Sequence, residues 1–355
     1  GIPRGLLEHS APAPRNPRNP RKSRKSRNPS THLNTAIPRL SHGDRLVPQS
    51  FMQRHYFLLR RLHSLTGIVP IGLFMIVHLI TNSSVVWGHI NTPKLLSEHG
   101  HKLDAAGVTT IHGGAATFQH EVNFIHSLPF LILMEVMVLW LPIAFHAGLG
   151  IYFATTGRSN IKNYKWGGNW RYVLQRATAW IGLAYLVYHI GTLRWGWTKL
   201  IPGQMKWEAE HAGSTMAAAL QGSTDNITLL GLVVIAFYLL GVTSLTFHFA
   251  NGLWTAAITW GITISESAQR RWGYACAALG VFLTAAGWAA VIGFAGLDYE
   301  EARTAELVVN NQLETSTMPG PMASDIESEI VGNTNIPTDY SAPAALSRST
   351  SENQH

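Results

Sequence analysis

The chain has 355 residues, of which 46% are hydrophobic and 13% are charged, with a formal net charge of +7. Its single cysteine, Cys276, excludes an iron–sulfur cluster held by this chain alone, because such clusters take about four protein ligands. The sequence has no GxGxxG fingerprint for a dinucleotide. Any flavin or iron–sulfur chemistry must therefore reside on partner subunits.

Composition divides the chain into three zones. Residues 1–53 form a basic, Pro-rich tail that we predict to be disordered, and residues 1–50 alone carry ten Lys or Arg against two acids, a net of +8. A transit peptide and a polybasic lipid anchor are the alternatives to a solvated extension. Residues 298–355 are acidic and rich in Ser, Thr and Pro, which also predicts disorder. Residues 54–297 are predicted to form a membrane domain.

Five apolar segments of the middle zone approach or exceed the ~20 residues needed to cross a bilayer. They lie at 62–86, 124–155, 172–193, 227–264 and 272–294. The intervening segments 87–122 and 194–226 are predicted to be polar loops. The sequence therefore predicts an all-α membrane protein with five transmembrane helices, of which the first four form a bundle.

Charge in the connecting segments predicts the orientation. The collar 54–61, the loop 158–171 and the pair Arg270 and Arg271 are cationic with little acid. By the positive-inside rule these segments face the cytoplasm. The N-terminus is then cytoplasmic, and the C-terminus lies on the outer side.

Four histidines lie within the apolar segments, at two depths. At ~1.5 Å per residue, His78 lies roughly 25 Å beyond the inner Arg61, and His189 lies at a similar height. His146 and His248 lie roughly 30 Å below the outer ends of their own segments, which predicts that they share an inner plane.

Two planes with two histidines each, on four different helices, predict two bis-histidine haems stacked across the membrane. The alternative for a single membrane histidine is a hydrogen-bonded packing residue. One zinc site built from all four histidines is excluded by their separation, because zinc ligands lie ~2 Å from the metal. The predicted iron ligands are His78 with His189, and His146 with His248.

Three further residues are weaker site predictions. Arg61 and Arg176 lie near the inner surface, where they could contact haem propionates or serve as snorkelling anchors. Glu135 is the one acid well inside a predicted span, and we assign it to a proton relay or to a haem contact, against the alternative of a neutral, hydrogen-bonded acid.

The motifs FLLRRLHSLTGIVP, HSLPF, FHAGLGIYFATTGR, NWRYVLQRATAWIG and FHFANGLWTAAITWGIT closely resemble the five-helix, di-haem cytochrome b subunit of succinate:quinone oxidoreductases. The likeness spans about residues 54–294. Carried over to this sequence, the resemblance makes His78, His146, His189 and His248 the haem ligands, while His63 matches a histidine that is not a ligand. The segment 87–122 is longer than the compact loops of that family.

The resemblance implies an assembly in the bacterial cytoplasmic membrane. A flavoprotein subunit would oxidise succinate, and an iron–sulfur subunit would pass electrons to this chain. Electrons would enter at the inner haem, cross to the outer haem and reduce a quinone, expected to be menaquinone. The predicted partners are thus two succinate dehydrogenase subunits, a quinone and the bilayer, with no nucleic acid.

Three alternatives remain open from the sequence. The same subunit could serve a fumarate reductase working in the reverse direction. It could be the di-haem cytochrome b of another quinone-linked oxidoreductase, although the RRLHSL and FHFxNGLW signatures argue against this. A haem-free anchor or transporter is the alternative from a different class.

Overall fold

The computed structural model describes residues 50–105, 110–157 and 167–312. The chain separates into two units between Ser50 and Phe51, and every described helix belongs to the second. The tail 1–49, the cationic residues at 158–166 and the tail 313–355 lie outside the described residues. All regular elements in the described part of the chain are helical, as predicted.

In chain order the α-helices are α1 (Phe51–Arg54), α2 (Tyr56–Ile68), α3 (Pro70–Trp87), α4 (Thr92–Ala105), α5 (Gly113–His126), α6 (Leu131–Met134), α7 (Leu141–Thr156), α8 (Gly167–Leu193), α9 (Ala212–Gln221), α10 (Leu229–Thr259), α11 (Glu266–Ala295) and α12 (Tyr299–Val309). A π-helical segment, Glu135–Trp140, joins α6 to α7. Pro70 is the first residue of α3, a position at which its missing N–H is tolerated, and α2 and α3 belong to one helical stretch, Tyr56–His101.

Within the part of the chain that the structure describes, four helical stretches are long and apolar enough to cross a membrane. They are Tyr56–His101, Leu131–Thr156, Leu229–Thr259 and Glu266–Ala295. Helix α8 has 27 residues, which gives it a length of roughly 40 Å. It is less apolar because Arg171, Gln175 and Arg176 lie in its first half. The predicted crossing by α8, and hence the odd number of spans, remains a prediction.

The second span begins later than predicted. Its helix starts at Leu131 rather than at Phe124, because α5 ends at His126 and a turn follows. Pro129 disfavours helical geometry in the residue before it, and Phe130 adopts a left-handed conformation with φ of 57°. Phe124 therefore belongs to a helix outside the span.

The segments predicted as polar loops and as a C-terminal tail differ from expectation. Helix α4 and most of α5 form within 87–122, α9 forms within 194–226, and α12 forms directly after the last span. These four helices pack together, and we call them the cap. The folded region therefore extends past the predicted boundary at Leu297.

Buried polar side chains connect the cap. Glu306 of α12 is fully buried, and its carboxylate accepts hydrogen bonds from the N–H and the hydroxyl of Ser214 at the start of α9, at 2.7 and 2.6 Å. Gln221 donates to the carbonyls of Ala295 and Leu297 at the end of α11. These bonds fasten the cap to one end of the long helices.

The opposite end of the long helices carries cations. The guanidinium of Arg171 lies 4.3 Å from the ring centre of Trp254, whose indole N–H donates to the carbonyl of Gln269. Arg60 lies over Phe153 near the end of α7. The cap and this cationic end are therefore at opposite ends of the bundle.

Candidate functional site

The four span histidines meet in two pairs. His78 of α3 and His189 of α8 have ring centroids 5.8 Å apart with ring planes at 80°, and we call them the outer pair. His146 of α7 and His248 of α10 have centroids 6.2 Å apart with planes at 87°, and we call them the inner pair. The structure thus brings together the same partners that the depth argument pairs.

The two pairs lie at different heights in the bundle. His63, which contacts the inner pair, precedes His78 by 15 residues, and Gln175, which also contacts it, precedes His189 by 14 residues. At 1.5 Å per residue these spacings separate the pairs by roughly 21 Å along the helices. The stretch α2–α3 and helix α8 each therefore carry an outer histidine and a residue that supports the inner pair.

Both inner histidines are oriented by main-chain carbonyls of a neighbouring helix. Nδ1 of His146 lies 2.9 Å from the His63 carbonyl, and Nδ1 of His248 lies 3.1 Å from the Gln175 carbonyl. A carbonyl only accepts, so each Nδ1 carries the proton and each Nε2 keeps a free lone pair. This is the arrangement in which imidazole binds a metal through Nε2.

His63 packs directly against the inner pair. Its ring stacks on that of His146 with centroids 4.0 Å apart and planes at 10°. Gly67 permits this approach, because a Cβ at that position would lie 2.5 Å from Cε1 of His146. Nδ1 of His63 is buried with no hydrogen-bond partner among the described residues.

Two residues of the inner site were missed by the sequence argument. The Gln175 amide donates to the His248 carbonyl at 3.0 Å and accepts from Asn251 at 2.8 Å. For Gln175 the available signal was an uncharged polar residue inside an apolar segment, but the role was assigned to the neighbouring Arg176. Asn251 lies within the FHFANGLW motif but carried no predicted role.

Aromatic residues surround the outer pair. The Tyr185 ring stacks near His189 at 5.5 Å, and Tyr238 lies 5.8 Å from the same imidazole. The Asn82 amide donates to the His78 carbonyl at 2.7 Å and lies 3.4 Å from His78 Nδ1. Nδ1 of His189 has no hydrogen-bond partner among the described residues. The outer imidazoles are thus held by ring packing more than by hydrogen bonds.

The two predicted arginines have different surroundings. Arg176 donates to the Gly157 carbonyl at 3.0 Å and to the Tyr172 hydroxyl at 2.9 Å, so its guanidinium is engaged at the end of α7. Arg61 lines an open groove of about 290 Å³ with apolar neighbours. It projects to nearly the opposite side of α2 from His63, because successive helical residues turn by about 100°.

Glu135 forms an ion pair that the sequence did not indicate. Its carboxylate lies 2.9 Å from the guanidinium of Arg194, and the side chains are 22% and 55% exposed. The acid begins the π-helical segment, a local geometry frequent at functional sites. Trp140 of that segment stacks on Trp195 with centroids 5.5 Å apart. The ion pair and the stacked indoles join the second span to the end of α8.

Fold and site together define a multi-pass, all-helical membrane protein in which four helices present two facing pairs of histidines. No family model matches the chain. The succinate dehydrogenase cytochrome b558 subunit of Bacillus subtilis (strain 168) is 32% identical over 243 residues, an alignment that covers 67% of this chain and 96% of that subunit. The chain therefore belongs to the family of succinate dehydrogenase cytochrome b subunits, and the resemblance recognised in its motifs is confirmed.

Proposed function

We propose that this chain carries electrons from an iron–sulfur partner through two b haems to a membrane quinone, as the membrane anchor of a succinate dehydrogenase. The observation that carries the proposal is the pairing of four histidines from four helices into two facing sets. Family membership supports the same assignment.

The paired residues fit a haem iron at each site. Each pair of facing imidazoles leaves room for a metal ion that would bind one nitrogen of each ring at ~2 Å. The ring centroids are 5.8 Å apart in the outer pair and 6.2 Å apart in the inner pair. Haem iron is held by axial side chains such as histidine, and each pair supplies two of them.

Each pair has a distinct place in the proposed path. When bound, haem b supplies a one-electron iron couple. His146 and His248 would hold one haem towards the cationic end, and His78 and His189 would hold the other towards the cap. The helices keep the two sites roughly 21 Å apart, and all four histidine side chains are only partly exposed.

We assign quinone reduction, with menaquinone as the expected quinone, to the cap end. The Glu135 carboxylate, which lies 2.9 Å from the guanidinium of Arg194, would exchange the proton that quinone reduction requires. The propionate contacts assigned to Arg61 and Arg176 are part of the same proposal, although Arg176 would share its donors with Gly157 and Tyr172.

The orientation is proposed from charge. Arg60, Arg171 and Arg270 lie at the end opposite to the cap, and the positive-inside rule directs that end to the cytoplasm. The flavoprotein and iron–sulfur subunits would then dock on the cationic end, next to the inner pair. The N-terminus would be cytoplasmic and the cap would lie outside.

A haem count by pyridine haemochrome on the purified complex, together with a dithionite-reduced spectrum, tests this function. We expect two b haems per chain, and one after His248→Ala. The control is His126→Ala, because His126 is exposed and lies outside both pairs. One haem in the unaltered protein would contradict the two-site path, and none would contradict electron transfer through this chain.

A further inference from the structure

The side chain and main chain of Gln175 together hold His248. The Gln175 carbonyl accepts from the imidazole Nδ1 at 3.1 Å, and the Gln175 amide returns a hydrogen bond to the His248 carbonyl at 3.0 Å. The same amide accepts from Asn251, one turn further along α10, at 2.8 Å. Three bonds between α8 and α10 therefore converge on the segment that carries one inner histidine.

No other paired histidine is held in this way within the described part of the chain. Nδ1 of His146 donates to the main-chain carbonyl of His63 in α2, but the His63 side chain only stacks on the His146 ring. The amide next to His78 comes from Asn82 of the same helix. Gln175 is thus the one described residue whose side chain bonds, from another helix, to the backbone of a paired histidine.

We infer that Gln175, fixed by Asn251, is a positioning residue for His248, an inference that rests on the proposed function. The amide bond holds the α10 backbone at the height where Nδ1 meets the Gln175 carbonyl. That contact sets the tautomer, with Nε2 unprotonated, and the rotation of the ring. The same contact would make the imidazole a more basic ligand for a bound haem iron, which would favour ferric over ferrous iron.

The variant Gln175→Met tests this role, because Met has similar length but no amide. Without the amide bonds the Nδ1 contact lengthens and the imidazole becomes less basic. We expect two haems per chain, a more positive midpoint potential for the inner haem and an unchanged potential for the outer one. Asn82→Leu is the matched control, since it removes an amide bond at the outer pair and moves only the outer potential.

Asn251→Ala supplies a second measurement. It removes the bond that fixes the Gln175 amide, so we expect a smaller positive shift of the inner potential. The double variant should shift no further than Gln175→Met alone, because both residues act through one contact. If Gln175→Met leaves too little inner haem to titrate, the sign of the Asn251→Ala shift decides.

An unchanged inner potential in Gln175→Met with two haems bound would overturn the inference, and so would additive shifts in the double variant. These outcomes leave the proposed function intact, because the haem count of the unaltered protein tests that function separately.

Discussion

Gly67 sets how closely α2 approaches His146. A Cβ at this position would lie 2.5 Å from Cε1 and 2.9 Å from Nδ1 of the imidazole. Gly67→Ala should therefore displace the ring and break its bond to the His63 carbonyl. We expect the haem content to fall from two towards one per chain, with the loss confined to the inner component of the reduced spectrum.

Gly148→Ala is the control for that change. Gly148 lies two residues from His146 on α7, but an added Cβ would meet nothing within 4 Å. This variant should keep both haems. Two haems with an unaltered spectrum in Gly67→Ala would show that the site tolerates a shift of His146.

Removing the charge of Glu135 tests its assigned role at the same scale. Glu135→Gln preserves the shape of the side chain but leaves Arg194 without its ion pair and removes the exchangeable proton. We expect succinate-dependent quinone reduction to fall by about a hundredfold or more, within the range of general acid–base contributions. Haem content and succinate oxidation with a soluble dye should not change.

Glu266→Gln provides the comparison, because Glu266 is exposed and pairs with Arg270 at the cationic end. Its quinone activity should match that of the unaltered complex. Equal activity of Glu135→Gln and Glu266→Gln would remove Glu135 from the proton path.

Among the elements, the spans were better predicted from the sequence than the segments between them. Long apolar runs indicate spans because a bilayer can be crossed only by a long apolar segment. By contrast, α9 consists largely of small residues, whose sequence does not distinguish a helix buried by its neighbours from a loop. A signal for α12 was present: Ala302, Ala305 and Val308 recur at helical spacing and are fully buried. The acidic residues of α12 led instead to the prediction of a disordered tail.

Helix α12 should stabilise the cap through Glu306. Glu306→Ala leaves the N–H of the buried Ser214 without its acceptor and leaves the Ser214 hydroxyl only the more distant His211 carbonyl at 3.4 Å, at a cost on the order of 1–3 kcal/mol. We expect a lower apparent unfolding temperature and faster proteolysis within the cap. Glu300→Ala, an exposed change in the same helix, should show neither effect, and equal protease resistance in the two variants would contradict the role of Glu306.

At the scale of the whole molecule, the pairing of the histidines could be predicted from their depth in the membrane, because the number of residues along a straight helix gives that depth. The contacts of Gln175 and Arg194 could not be predicted, because they depend on how neighbouring helices are rotated about their axes. A single sequence carries little information on that rotation.

Orientation is a property of the whole molecule and can be tested directly. A cysteine introduced at exposed Glu300 should react with a membrane-impermeant maleimide in intact cells, whereas one at exposed Glu266 should react only after lysis. The native Cys276 is buried and should contribute little labelling. The reverse pattern would place the cap in the cytoplasm.

The cap consists of three separate parts of the chain: α4 with α5, then α9, and finally α12. Long helices lie between these parts, and α12 follows the last long helix, α11. During synthesis, the bonds between Glu306 and Ser214 can therefore form only after the last membrane segment has inserted, when α4, α5 and α9 have already been made. Closure of the cap is consequently a late step of biogenesis, and it reports that the last span, α11, has inserted.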